Sequence, residues 1–349
     1  MEDARKRKAV AYWLLLGVIM IIVQVLLGGI TRLTGSGLSI TEWKPIMGAL
    51  PPMNDKEWNE AFNGYKQIGQ YKLQNNYFTL ADFKFIFFWE WFHRVWARSL
   101  GVVFAIGFVY FLLKKYFSKE MIMPFIILFL LGGLQGLVGW KMVASGLDNE
   151  HLAVDHIYLA AHFISAMLLA VYTLWFALQL LIPAEKRTIN KSLHNFTILI
   201  IAMLSVQLIY GAFMAGLKAA MSAPTWPTIN GMWMPDGFLQ HSFISDKLNV
   251  HFIHRTLAYI IFVFIIFWLL AALRSAKKEP ASLLRSAARW PVILVCLQVV
   301  LGIVTVLSAP TIVFGKFTQF QSLALLHQLV AMFLLMSLVV NLYVIRKAA

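Results

Sequence analysis

Long apolar runs separated by short polar stretches dominate the chain. Eight of them, 9–30, 84–113, 122–141, 154–182, 195–217, 250–273, 290–309 and 321–345, approach or exceed the roughly 20 residues a helix needs to cross hydrocarbon. A β-barrel is excluded, because its strands need only about 10 residues of alternating polarity. The pattern predicts an all-α polytopic membrane protein with eight transmembrane helices. Within the longest polar stretch, 31–83, NDKEWNEAFNGYKQ sets Trp58, Phe62 and Tyr65 at helical spacing and predicts a short amphipathic helix. The 217–249 stretch is aromatic but less periodic, and 183–194 (PAEKRTINKSLH) reads as a linker.

Composition agrees: 60% of residues are apolar and 13% charged, with a mean hydropathy of +0.72, which excludes a soluble enzyme. The net charge of +14 resembles that of a nucleic-acid binder until its distribution is considered. The termini and even-numbered connections carry seventeen Lys/Arg against five acids, and the opposite side carries ten of each. One face therefore holds +12 and the other zero, the positive-inside signature, which predicts both termini in the cytoplasm and no nucleic-acid partner. The remaining charges, Arg94, Arg98, Arg255 and Glu90, fall inside predicted spans. The first span is too long for a signal peptide and lacks a small-residue cleavage site. A single cysteine, Cys296, excludes an internal disulfide and reads as a small packing residue.

The chain is also a repeat. At an offset of 183, Gln24 matches Gln207, Gly28 matches Gly211, Trp43 matches Trp226, Gly48 matches Gly231 and Pro52 matches Pro235. At an offset of 161, His93 and Arg94 fall on His254 and Arg255. The third and seventh spans share Q-x-x-x-G (Gln135–Gly139, Gln298–Gly302), and His162 corresponds to His327. Four spans per half make the repeats parallel, about an axis along the membrane normal. The expected architecture is two parallel-repeat four-helix bundles, residues 1–190 and 191–349.

Ionisable residues within spans are costly and mark function by default. His93, His162, His254 and His327 lie at equivalent positions, each within about 13 Å of the outer end of its predicted span at 1.5 Å rise per residue. A lone intramembrane histidine is ordinarily a hydrogen-bonded core residue. Four at repeated positions suggest a metal ion or a haem instead. Zinc wants three or four converging ligands, whereas each half offers two, which suits axial ligation of haem iron. Arg94 and Arg255 suit haem propionates, or else pair with backbone carbonyls or an acid. Arg32 is a further propionate candidate or an interfacial anchor, and Trp43 and Trp226 read as loop anchors. Glu90 precedes His93 by one turn, and its repeat partner is His251. This break in the duplication suggests that one half does chemistry while the other holds a cofactor. The alternative is that Glu90 only pairs with Arg94 or Arg98.

The strings GGITRLTGSGLSITEWKPIMGALPP, FKFIFFWEWFHRVWARSLG, LAAHF, TWPTINGMWMP, HFIHRTLAY and LALLHQ resemble those of the haem A synthase family, over nearly the whole chain. The length, with an extended first outer loop, resembles the type shared by Gram-negative bacteria and mitochondria. The resemblance implies oxidation of the C8 methyl of haem O to the formyl of haem A, by two hydroxylations and loss of water, for use in cytochrome oxidase. It implies substrate haem on His93 and His162 in residues 1–190, a haem b cofactor on His254 and His327 in residues 191–349, and Glu90 as the catalytic carboxylate. It further implies an inner-membrane location, with haem O synthase and an electron donor as partners. Two departures stand out. The outer-loop cysteine pair of some members is absent, and Tyr158 stands where many have an arginine. His151 and His156 are extra and expected to face solvent. The rival readings are a dihaem b-type cytochrome that only passes electrons, which has no need of Glu90, and a transporter, which has no need of paired histidines.

Overall fold

A computed structural model describes residues 2–42, 49–148, 150–278, 283–312 and 317–346. The helices are α1 (Glu2–Leu33), α2 (Asp55–Tyr65), α3 (Leu80–Leu113), α4 (Lys119–Ala144), α5 (His156–Leu181), α6 (Lys191–Gly216), α7 (Lys247–Ala276), α8 (Leu284–Ala287), α9 (Arg289–Leu307) and α10 (Gln319–Val344). Eight are long and apolar enough to cross a membrane, one for each predicted run, with α8 and α9 together making the seventh. The protein is an all-α, multi-pass membrane protein. One end of the bundle carries both termini, and the other carries the long 34–79 and 217–246 connections, here called the loop end.

All four histidine-bearing helices start at the loop end, and each starts on a side-chain cap. Thr79 and Asp82 form a capping box on α3, Asp155 accepts from Ile157 and Tyr158 on α5, and Asp246 accepts from Leu248 and Asn249 on α7. On α10 the Thr318 N–H donates to Gln321 (2.9 Å). These caps satisfy N–H groups that a helix start leaves without partners. The α3 helix begins four residues before the predicted run, so His93 lies about 20 Å from its start, not 13 Å. Its first turns project beyond the apolar region. There Phe83 and Phe87 pack against α2, the predicted amphipathic helix, through Trp58, Phe62 and Tyr65.

The duplication recurs in the packing. α1 lies on α3, α4 on α5, and α1 joins the two pairs through α5; likewise α6 lies on α7, α9 on α10, and α6 joins them through α10. The halves meet where α5 and α1 pack on α6 and α10. The main core crosses that seam, from Ile21 and Met167 to Ile200, Trp268 and Met332. At the terminal end the linker and the C-terminal segment form a two-stranded parallel pair, β1 (Thr188–Ile189) and β2 (Ile345–Arg346). Cys296, expected to pack inside, is exposed on the apolar outer surface of α9.

Candidate functional site

Each of the four histidines faces the glutamine and glycine of a neighbouring helix. The Gln24 amide nitrogen lies 3.2 Å from both ring nitrogens of His93, and that of Gln135 lies 3.2 Å from His162 Nδ1. Gln207 is 3.4 Å from His254, and Gln298 is 3.2 Å from His327. One turn along each glutamine helix stands a glycine, Gly28, Gly139, Gly211 or Gly302. A β-carbon there would meet the ring Cε1 at 3.1, 2.8, 3.3 and 3.0 Å respectively. The unit is thus a helix pair, Q-x-x-x-G against His, present four times. Besides the matches of the first span with the fifth and the third with the seventh, the first and third spans carry the same signal within one half, QVLLG and QGLVG.

Two such pairs in each half set two histidines across one cavity. The His254 and His327 ring centres are 6.4 Å apart. Two iron–nitrogen bonds of about 2 Å, with about 1 Å from each nitrogen to its ring centre, put the rings of a bis-imidazole iron about 6 Å apart. The spacing therefore fits a haem iron between them. His254 Nδ1, His327 Nδ1 and the oxygens of Gln24, Gln207 and Gln298 are buried without hydrogen-bond partners. Turning over the glutamine amide lets its oxygen accept from the ring N–H it faces, the usual support of a metal-bound histidine. Among the described residues no three His, Cys, Asp or Glu side chains converge, so a zinc-type cluster is not formed.

The cavity has a volume of about 980 Å³ and is lined by all four histidines, at the upper end for ligand sites. Glu90 borders it but is only 2% exposed. Its Oε1 pairs with Arg94 at 2.5 Å, and its Oε2 accepts from Ser39 Oγ (2.7 Å) and Ile40 N (2.8 Å). Arg94 also donates to the Ile40 carbonyl. The other half repeats the device without the carboxylate. Arg255 donates to the carbonyls of Ala223, Thr225 and Thr228 and lies 3.3 Å from His251 Nε2. Both arginines thus tie the connection after the first helix of their half to the histidine helix, while also lining the cavity. Arg32 lines the same cavity, and among the described residues its guanidinium has no hydrogen-bond or ion-pair partner.

Other expectations fare differently. His156 does not face solvent: it is largely enclosed between the halves, with Nε2 at 3.0 Å from the Ile244 carbonyl and its ring on Phe213. His151 is exposed as expected, and Asp148 at 2.6 Å holds its pKa above the usual histidine value. Tyr158 is exposed and lies outside the cavity lining. Trp226 anchors its loop through Tyr259 (3.0 Å) and also borders the cavity. Trp43 falls outside the described residues.

Residues 11–339 match the family model described as cytochrome oxidase assembly protein, COX15-CtaA. The chain is 38% identical to a protein of Flavobacterium johnsoniae named heme A synthase, covering 98% of this chain and 99% of that one. Proteins of the same name from Bartonella henselae (38% identity; 92% and 90% covered) and Parvibaculum lavamentivorans (38%; 89% and 89%) are similarly related.

Proposed function

The chain belongs to the COX15-CtaA family of cytochrome oxidase assembly proteins, and from that premise we propose that it acts as a haem A synthase, oxidising the C8 methyl of haem O to a formyl group. The observation that carries the reading is the doubled pair of facing histidines, each seated on a glutamine and a glycine, within one membrane-embedded cavity. On this reading residues 1–190 hold the substrate haem between His93 and His162. Residues 191–349 hold a haem b cofactor between His254 and His327.

The cofactor, when bound, exchanges electrons one at a time. Methyl to formyl is a four-electron oxidation. With water as the oxygen source it is CH3 + H2O → CHO + 4 H+ + 4 e−, the electrons leaving to an external oxidant. With dioxygen as the source, each of two hydroxylations takes two electrons and two protons from a donor and releases one water. The protein's part is positional and electrostatic. Gln24 and Gln135 fix the substrate-side rings, and Gln207 and Gln298 the cofactor-side rings. Arg32, whose guanidinium has no hydrogen-bond or ion-pair partner among the described residues, would meet an anionic propionate, and Arg94 and Arg255 line the same cavity. Glu90 places a buried carboxylate beside the substrate half, where it opposes positive charge developing on the macrocycle edge. Its Ser39 and Ile40 contacts keep it in place. The +12 face orients both termini to the cytoplasm of a cell inner membrane, and haem O synthase and an electron donor are the expected partners.

The alternative, a dihaem electron carrier, shares the histidines and gives no role to a carboxylate in one half alone. Expression with haem O available, followed by pigment extraction and mass analysis, separates them. Haem A is expected, and recovery of unchanged haem O alone would establish the carrier.

A further inference from the structure

The two halves share one helix plan but do not enclose the same space. On α1 the cavity reaches Trp13, whereas on α6 it stops at Leu204, the repeat equivalent of Ile21. Eight residues at 1.5 Å each make the N-terminal lobe about 12 Å deeper toward the terminal end. Its side wall differs too. α7 packs closely along α9, whereas α3 and α4 meet through aromatic side chains near the terminal end, Phe108 on Phe125 at 5.8 Å, and stand apart beside the cavity. The facing positions are Gly101 on α3 and Gly132 and Gly136 on α4, where an added β-carbon would meet nothing within 4 Å. Their repeat partners are Phe262, Val295 and Val299. Phe262 and Val295 are packed into the main core. Deeper in that half, Ile265 and Trp268 are fully buried, and the Trp268 indole donates to Thr197 Oγ1 at 2.8 Å. In the N-terminal half the corresponding depth is left open above an aromatic floor, where Trp13 lies 5.5 Å from Phe104 and 5.7 Å from Phe125.

The N-terminal lobe is therefore amphipathic along its length. Arg32, whose guanidinium has no hydrogen-bond or ion-pair partner among the described residues, lines its loop end, and a glycine-walled apolar slot opens sideways between α3 and α4. Haem O has the same polarity: propionates at one edge, and a long isoprenoid alcohol chain where protohaem has a vinyl group. Resting on the function proposed above, we propose that this slot is the seat of the isoprenoid chain and the feature that selects haem O over protohaem. Lipid tails are as apolar as the slot, so burial alone supplies little preference. Selection comes from shape. A lobe filled like its counterpart admits the macrocycle and excludes the chain.

The test writes the C-terminal residues into the N-terminal lobe. Full-length protein carrying its cofactor is titrated in nanodiscs with haem O and with protohaem, for the wild type, for Gly101→Phe with Gly132→Val, and for Gly136→Val alone. Ile106→Phe, on the exposed face of α3 outside the cavity, controls for bulk. Wild type is expected to favour haem O by about tenfold or more, a difference of 1.4 kcal/mol. The glycine variants are expected to lose that preference, with protohaem affinity and the cofactor spectrum unchanged. A wild type that binds both porphyrins equally, or glycine variants that still prefer haem O, overturns the seat alone. A wild type that takes up neither porphyrin through His93 and His162 overturns the functional reading and the seat with it. Should the double variant fail to retain cofactor, Gly136→Val gives the same comparison.

Discussion

At Gly302 an added β-carbon would stand 3.0 Å from His327 Cε1, and at Gly211 one would stand 3.3 Å from His254 Cε1. Both rings must give by a few tenths of an ångström, His327 by more than His254. Gly302→Ala is therefore expected to lower retained low-spin haem by about tenfold, roughly 1.4 kcal/mol of binding, and Gly211→Ala by much less. Absorption spectra of purified variants measure both. Glu90 is a different kind of residue. Its charge is matched by Arg94, and removing one partner of a buried pair costs about 3–5 kcal/mol, yet Ser39 and Ile40 still hold the side chain of a near-isosteric glutamine. Glu90→Gln is expected to keep both haems while haem A formation falls by at least about tenfold. Haem content and product, measured on one preparation, check this. Normal haem A output would show that the charge is dispensable.

Tyr65 closes α2 onto α3 and is fully buried there, its hydroxyl donating to Gln70 (2.9 Å) and accepting from Asn75 (2.8 Å). Burial pushes its pKa up to about 12 from the ordinary 10. The folded state thus holds the proton more tightly, and its contribution is complete below pH 10 and lost between pH 10 and 12. Protease resistance of the 55–75 segment is expected to fall over that window and to lose this pH dependence in Tyr65→Phe. Elements of this kind differ in how plainly the sequence announces them. The α2 helix was legible because Trp58, Phe62 and Tyr65 keep a 3.6-residue rhythm in a polar background. The four histidines were legible because charge-capable rings are rare among Leu, Val and Phe. The fourfold Gln–Gly–His unit was only half legible: its glutamines and glycines align between the halves, but nothing along the chain says that an imidazole ring packs on each glycine. Strands of two residues, β1 and β2, carry no pattern at all. His156 belongs to the same class, since what encloses it is Ile244, 88 residues away.

The whole molecule is two copies of one helix plan, and removing the histidines of one copy at a time tests the proposed division of tasks between them. His254→Ala or His327→Ala is expected to abolish the low-spin spectrum of the purified protein, whereas His93→Ala or His162→Ala leaves it largely present and abolishes haem A formation. Equal loss of haem from both pairs would refute the division. The reason for joining the copies in one chain lies partly at the seam, where the core runs unbroken from α5 into α6 and α10.

The parallel pairing of Thr188 with Ile345 ties the middle of the chain to its end. Around it Arg346 accepts from the Asn190 N–H (3.0 Å), and Arg187 lies 3.9 Å over the Tyr343 ring. During synthesis the first four spans emerge and insert long before these partners exist. The strand pair forms only once residues 345–346 have been made, whereas the packing of α5 on α6 needs nothing beyond α6. A chain cut short after α9 leaves Thr188 and Ile189 without their strand partners, and leaves α1, α5 and α6 without the α10 surface on which they pack.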